Sequence, residues 1–177
     1  MKNVFIVVIA LATTLSCSKK SDTQKINQQN KATTQIQDND YIETDFYFKL
    51  PLYTGDEVDL KDLRGKAVLV MFFTENCPYC RKAAPFIEAI YEKYSSKGLE
   101  VVAISVKPDI ESAKEFATDF NLKFKVAYNG RDVARRYGIS GVPFVYLLNK
   151  DHTLNRLWAG YDKIYEDEID KAISKII

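Results

Sequence analysis

Cys77-Pro78-Tyr79-Cys80 is the stretch of this chain best suited to chemistry. Two thiols at this spacing can exchange with a disulfide: one sulfur attacks as thiolate, and the other resolves the mixed disulfide that forms. The setting favours this. An unbroken apolar run, Ala67–Phe73, precedes the pair and a helical pattern follows it, which puts Cys77 at a strand-to-helix junction. Unpaired backbone N–H groups and the positive end of the helix dipole would then face its sulfur and favour thiolate over thiol. Pro78 suits the first helical position, where its missing N–H costs nothing. Cys80, further along the first turn, is expected to be more buried and to resolve rather than to attack. Half a zinc site is the competing reading of the motif. A structural zinc needs four ligands, and only Cys17 and the lone histidine, His152, remain, so neither metal nor cofactor is expected. His152 falls in the polar turn Asn149-Lys150-Asp151-His152 and is expected to be solvated.

The elements that must position the dithiol can be read from periodicity. Tyr41, Phe46, Tyr47, Phe48 and Leu50 open an apolar region. Pro51 and Tyr53-Thr54-Gly55-Asp56 predict a turn, and Val58-Asp59-Leu60 completes an N-terminal hairpin. The run Ala67–Phe73 predicts a strand covered on both faces. Helical spacing over Ala83–Lys97 puts Phe86, Ile87, Ile90 and Tyr94 on one side, and Gly98 supplies the stop. A second buried strand follows at Leu99–Val106. A helix over Ile110–Phe120 turns Ala113, Phe116, Ala117 and Phe120 inward. A short strand at Phe124–Ala127, a helical turn at Val133–Tyr137, paired strands at Phe144–Leu148 and Leu154–Trp158, and a helix over Ile164–Ile177 complete the chain. The order is that of a mixed sheet flanked by helices, with no internal repeat and no second domain.

Composition excludes several classes of function. The chain has 177 residues, with 25 Lys and Arg against 24 Asp and Glu and a formal charge of +1. So balanced a charge gives no electrostatic case for nucleic acid. With 46% hydrophobic and 28% charged residues the chain reads as globular, and three cysteines are too few for a disulfide-stapled domain. Lys2 and the apolar run Val4–Ala12, too short to span a membrane, describe a secretory signal over residues 1–16. Leu15-Ser16-Cys17 resembles a bacterial lipobox, which implies acylation of Cys17; plain secretion is the alternative. Several acyl chains on one residue anchor stably, at about 0.8 kcal/mol per buried CH₂. Ser18–Asp40 has no aromatic residue and reads as a disordered tether. Residues 17–40 thus form the lipidated cysteine and tether, and residues 41–177 the domain.

From about Phe46 to Ile173 the chain resembles the thioredoxin-fold, extracytoplasmic thiol–disulfide oxidoreductases of the TlpA/ResA type. The matching stretches are Tyr53–Lys66, Cys77-Pro78-Tyr79-Cys80-Arg81 and Tyr137-Gly138-Ile139-Ser140-Gly141-Val142-Pro143. The resemblance implies an α/β, thioredoxin-like three-layer sandwich with an N-terminal β-hairpin extension. It makes Cys77 the nucleophile, Cys80 the resolving thiol and Pro143 a cis-proline facing them. Val142 would pair its backbone with an extended substrate strand, with Pro78 and Tyr79 alongside. It further implies protein thiol or disulfide substrates, cytochrome c maturation among them, and an upstream membrane electron donor. A lipid-anchored monomer in the periplasm or cell envelope is the expected form.

Three positions depart from the family pattern. Met71 stands where thioredoxin has a buried Asp, Ala83 where ResA-like proteins often have Glu, and Asn76 where Trp is usual. Glu75 is the nearest substitute proton acceptor for Cys80. The Pro-Tyr dipeptide resembles that of glutaredoxins and implies an intermediate potential of roughly −190 to −250 mV. Reduction of protein disulfides is the expected direction, with disulfide oxidase or isomerase as the alternative. A peroxidase, for which Thr74 alone is in place, and a non-enzymatic binding lipoprotein also stay open.

Overall fold

A computed structural model of the protein describes residues 44–177. The signal segment, Cys17 and the tether lie outside the described residues. The chain runs β1 (Lys49–Pro51), β2 (Glu57–Asp59), β3 (Ala67–Phe73), α1 (Pro78–Tyr94), β4 (Leu99–Ser105), α2 (Ile110–Asp119), β5 (Lys125–Ala127), α3 (Arg131–Arg136), β6 (Phe144–Leu148), β7 (Leu154–Ala159) and α4 (Lys163–Ile173). β1 and β2 form the expected hairpin, with Leu50 opposite Val58. The main sheet has the order β5-β4-β3-β6-β7. β3, β4 and β5 are parallel, while β6 runs antiparallel to β3 and β7 antiparallel to β6. Leu52 bridges to Ala127 and attaches the hairpin to the β5 edge.

Every residue of β3 is buried, so its alternating side chains feed two separate cores. Ala67, Leu69, Met71 and Phe73 pack with α1, α2 and α4 on one face of the sheet. Val68, Val70 and Phe72 pack on the other with the hairpin and α3, through Val133, Ala134 and Tyr137. Three layers result, and the apolar run at the centre is explained by helices on one side and the hairpin with α3 on the other. Phe73 stacks on Phe116 with ring centroids 4.1 Å apart, which pins α2 beside the end of β3. Among the described residues no helix is long and apolar enough to cross a membrane.

α1 begins at Pro78, the first helical position expected of it; its first turn exposes Pro78 and Tyr79, so the apolar spacing becomes visible only from Ala83. One detail differs from the expectation. His152 is not solvated: it is fully buried, with φ 64°, and its Nε2 lies 3.2 Å from the Leu63 carbonyl. The β6–β7 turn folds back onto the 3-10 turn Leu60–Leu63, an approach reinforced by the Gly65 N–H donating to the Lys150 carbonyl at 3.1 Å. A polar turn is solvated only when nothing distant packs on it.

Candidate active site

The parallel strands β3, β4 and β5 deliver three loops to one edge of the sheet, the usual location of function in such arrangements. Cys77 ends the first loop as the N-cap of α1, with extended backbone (φ −71°, ψ 115°). Its Sγ accepts a hydrogen bond from the Cys80 N–H at 3.2 Å, so one orphan donor of the first turn points at the sulfur. The helix start thus places positive partial charge beside this sulfur. Pro78 occupies the N-terminal position expected of it.

The two sulfurs differ in exposure. Cys77 is half-buried and Cys80 fully buried, and both are free thiols. Burial, and then the interaction with Cys77, push the Cys80 thiol far above its ordinary range. The surroundings explain this: Met71 and Ala83, the two positions without the family's carboxylates, are buried in the same apolar cluster as Cys80.

Facing the dithiol, the Val142–Pro143 peptide is cis, and the Cys77 thiol donates to the Val142 carbonyl at 3.5 Å. The Pro143 carbonyl is taken by the Gly160 N–H at 2.9 Å, which ties this loop to the end of β7. Among the described residues nothing takes the Val142 N–H. Around the opening, Tyr79 is 56% exposed, with Lys82 Nζ 5.2 Å from its ring centroid, and Asn76 is exposed. Cys77, Cys80, Val142 and Pro143 therefore meet at one place, with Pro78 and Tyr79 beside them.

Glu75 does not match the proton-acceptor role expected of it. It is buried, and its hydrogen bonds run to Lys107, Ser112 and Asn76, not to either cysteine. Burial raises the carboxyl, but the bonds from Lys107 and Ser112 outweigh it and hold the group below the usual carboxylate range. A carboxylate so held binds protons poorly. Lys107, Ser112 and Ser105, which complete this network, escape a linear reading because they lie far along the chain, in β4, its following loop and α2. Only Asp109, which caps α2 by accepting from the Ser112 N–H at 3.0 Å, leaves a local signal. Among the described residues no group of three His, Cys, Asp or Glu side chains is placed to hold a metal ion.

The three-layer architecture and the dithiol opposite a cis-proline define a thioredoxin-fold protein. The profile of the AhpC/TSA family matches residues 45–157, and the chain belongs to that family. Among curated proteins it is similar to the thiol-disulfide oxidoreductase ResA of Bacillus anthracis, 35% identical over 98 residues, 55% of this chain and 57% of that protein. The ResA of Geobacillus kaustophilus is 27% identical over 130 residues, 73% of this chain and 74% of that protein. The chain thus matches little more than half the length of the first of these relatives. Among solved structures, one from Chlorobium tepidum assigned as a thiol:disulfide interchange protein DsbE has a TM-score of 0.69 and 27% identity, covering 73% of this chain and 92% of that one. A thioredoxin-family thiol:disulfide interchange protein from the same organism has a TM-score of 0.66 at 20% identity, covering 73% and 92%, and shares the fold.

Proposed function

We propose that this protein is an extracytoplasmic thiol–disulfide oxidoreductase that reduces protein disulfides through Cys77 and Cys80. The observation that carries the reading is the asymmetry of the dithiol: a half-buried sulfur at a helix cap, 3.5 Å from the Val142 carbonyl, backed by a fully buried thiol. A substrate segment lies extended along Val142, whose N–H is available for a main-chain bond. The Cys77 thiolate attacks one substrate sulfur; that S–S bond breaks, the leaving sulfur takes up a proton, and a Cys77–substrate disulfide forms. Cys80 then gives up its proton and attacks Cys77 Sγ. The second substrate thiol leaves, and the Cys77–Cys80 disulfide holds the two oxidising equivalents until a membrane electron donor reduces it. Burial keeps Cys80 protonated at the outset, which fixes the order of attack. The names of the ResA and DsbE relatives support this chemistry, and cytochrome c maturation is the substrate pathway we favour.

Residues 1–16 act as the signal and Cys17 as the lipid anchor, with the following residues as a tether that lets a monomeric domain reach partners at the envelope surface. Label from a palmitate analogue should be lost in Cys17→Ala; retained label would remove the anchor. The main test is trapping. A Cys80→Ala chain should accumulate substrates disulfide-linked to Cys77, and Cys77→Ala should trap none. Equal trapping by both variants would overturn the assignment. A dithiol found mostly oxidised in intact cells would instead favour the oxidase, and peroxide consumption without a thiol donor the peroxidase.

A further inference from the structure

Glu75 stands two residues before the attacking cysteine, so their Cα atoms are at most about 7 Å apart. A buried carboxylate there should oppose thiolate formation, yet the fold builds a site to keep it ionised. The Ser112 Oγ donates to Glu75 Oε2 at 2.6 Å. That spends the Ser112 hydrogen, so the Ser105 Oγ, 2.7 Å away, must donate to Ser112, and it accepts in turn from the Lys107 N–H at 3.2 Å. Every donor in this chain points toward the carboxylate, an arrangement that suits only the ionised form. Ser105 and Ser112 are themselves buried. Lys107 Nζ and Asn76 Nδ2 occupy the other oxygen, and Arg81 Nη1 donates to the Glu75 backbone carbonyl at 3.2 Å. The Asn129 N–H holds the Lys107 carbonyl at 2.7 Å, so all three loops at this edge of the sheet are joined.

We propose that Glu75 and Lys107 form a positioning and charge-setting pair for the dithiol: Glu75 anchors residues 74–77 against β4 and α2, and Lys107 cancels the negative charge that this anchor brings beside Cys77. The proposal rests on Cys77 being the attacking thiol. A neutral anchor would hold the loop without this need, but it could not draw donors from three elements so strongly. Asn76, where the related families usually carry Trp, belongs to the same anchor.

The two charges have opposite signs, so removing them separately must move Cys77 in opposite directions, whereas damage to a purely structural brace would move it one way. The experiment is the pH profile of Cys77 alkylation by iodoacetamide, on the full-length chain in detergent in a Cys80→Ala background, read on the Cys77 peptide by mass spectrometry so that Cys17 does not contribute. Glu75→Gln should shift the profile to lower pH and speed alkylation at neutral pH by about threefold, the size of effect one unit charge has at about 7 Å in water. Lys107→Met should shift the profile to higher pH. The double variant should return close to the parent, and Lys107→Arg should match it. Asp109 and Glu115, which act on Lys107, and the Arg81–Asp119 pair are unchanged throughout. Lys107 is 41% exposed, so its substitution tests the idea even if Glu75→Gln does not fold. Shifts of one sign, or no shift with Lys107→Met, overturn the pair. Failure of the trapping test with a normal charge response would overturn the enzymatic reading instead.

Discussion

At the scale of single residues, Cys77 and Cys80 are made different by position alone. One caps a helix and meets solvent; the other lies in an apolar cluster with Met71 and Ala83. No carboxylate stands at those two positions, and the backbone hydrogen bonds at Thr74 and Cys80 that favour the thiolate are outweighed by burial and by Cys77. In the proposed mechanism its deprotonation is therefore coupled to attack on Cys77 within the mixed disulfide. Exchanging Ala83 for Glu would place a carboxyl in that cluster, and we expect single-turnover release of the mixed disulfide to become faster. Stopped-flow kinetics on the trapped complex would show it; an unchanged rate would mean that Cys80 loses its proton by another route. The dipeptide acts at the same scale. Pro78 and Tyr79 are exposed beside the sulfurs, and the midpoint potential, measured against a glutathione buffer, should fall at roughly −190 to −250 mV. A value below about −300 mV would place the pair among structural disulfides and remove the argument from its sequence.

At the scale of elements, the site depends on how closely the loops at the end of β3, β4 and β5 pack. Gly130 shows the tolerance. A Cβ there would meet Ile104 Cγ2 at 2.1 Å and the Ser105 carbonyl oxygen at 2.9 Å. Its N–H donates to that same carbonyl at 2.9 Å, so the backbone cannot move away without losing a bond. Gly130→Ala should therefore cost about 1–3 kcal/mol by overpacking, readable as a lower urea midpoint. It should also disturb the neighbouring Lys107 loop. Phe116 makes the complementary case. Its ring stacks on Phe73 and is fully buried, so Phe116→Ala should cost about 3–5 kcal/mol and loosen α2, which carries Ser112. A loss below about 1 kcal/mol would mean that α2 is held by its cap and not by this stack.

At the scale of the whole molecule, the β6–β7 turn and the 3-10 turn after the hairpin are closed on one another at His152. Burial pushes this imidazole below its ordinary range, outweighing the Leu63 carbonyl and Asp151, while Arg64 acts with burial. The unfolded chain accepts a proton near pH 6.5 that the folded chain refuses, so stability is complete above that pH and is lost as pH falls toward the lower folded value. Between pH 7.5 and 5.5 the melting temperature should drop, and the drop should vanish in His152→Asn, which tolerates the positive φ. The carboxyls held low, Glu75, Glu100, Asp151, Glu166 and Asp170, stabilise the fold throughout this window and lose that contribution only at more acid pH. An equal drop in the variant would move the effect to another group.

Features written in short range are legible along the chain. Period and run length separate strands from helices, so β3, β4, β6 and β7 and the three long helices stand close to where Ala67–Phe73, Leu99–Val106 and the helical patterns put them. The cysteine pair declares itself because its chemistry and its helix cap lie within four residues. The partners of isolated polar residues are set by the folded chain instead. Whether Glu75 takes a proton or anchors a loop depends on Lys107 and Ser112, and whether His152 meets water depends on Leu63. A polar side chain has no period to betray its surroundings, and the cost of burying it is met by donors that chain folding, not sequence spacing, brings within reach.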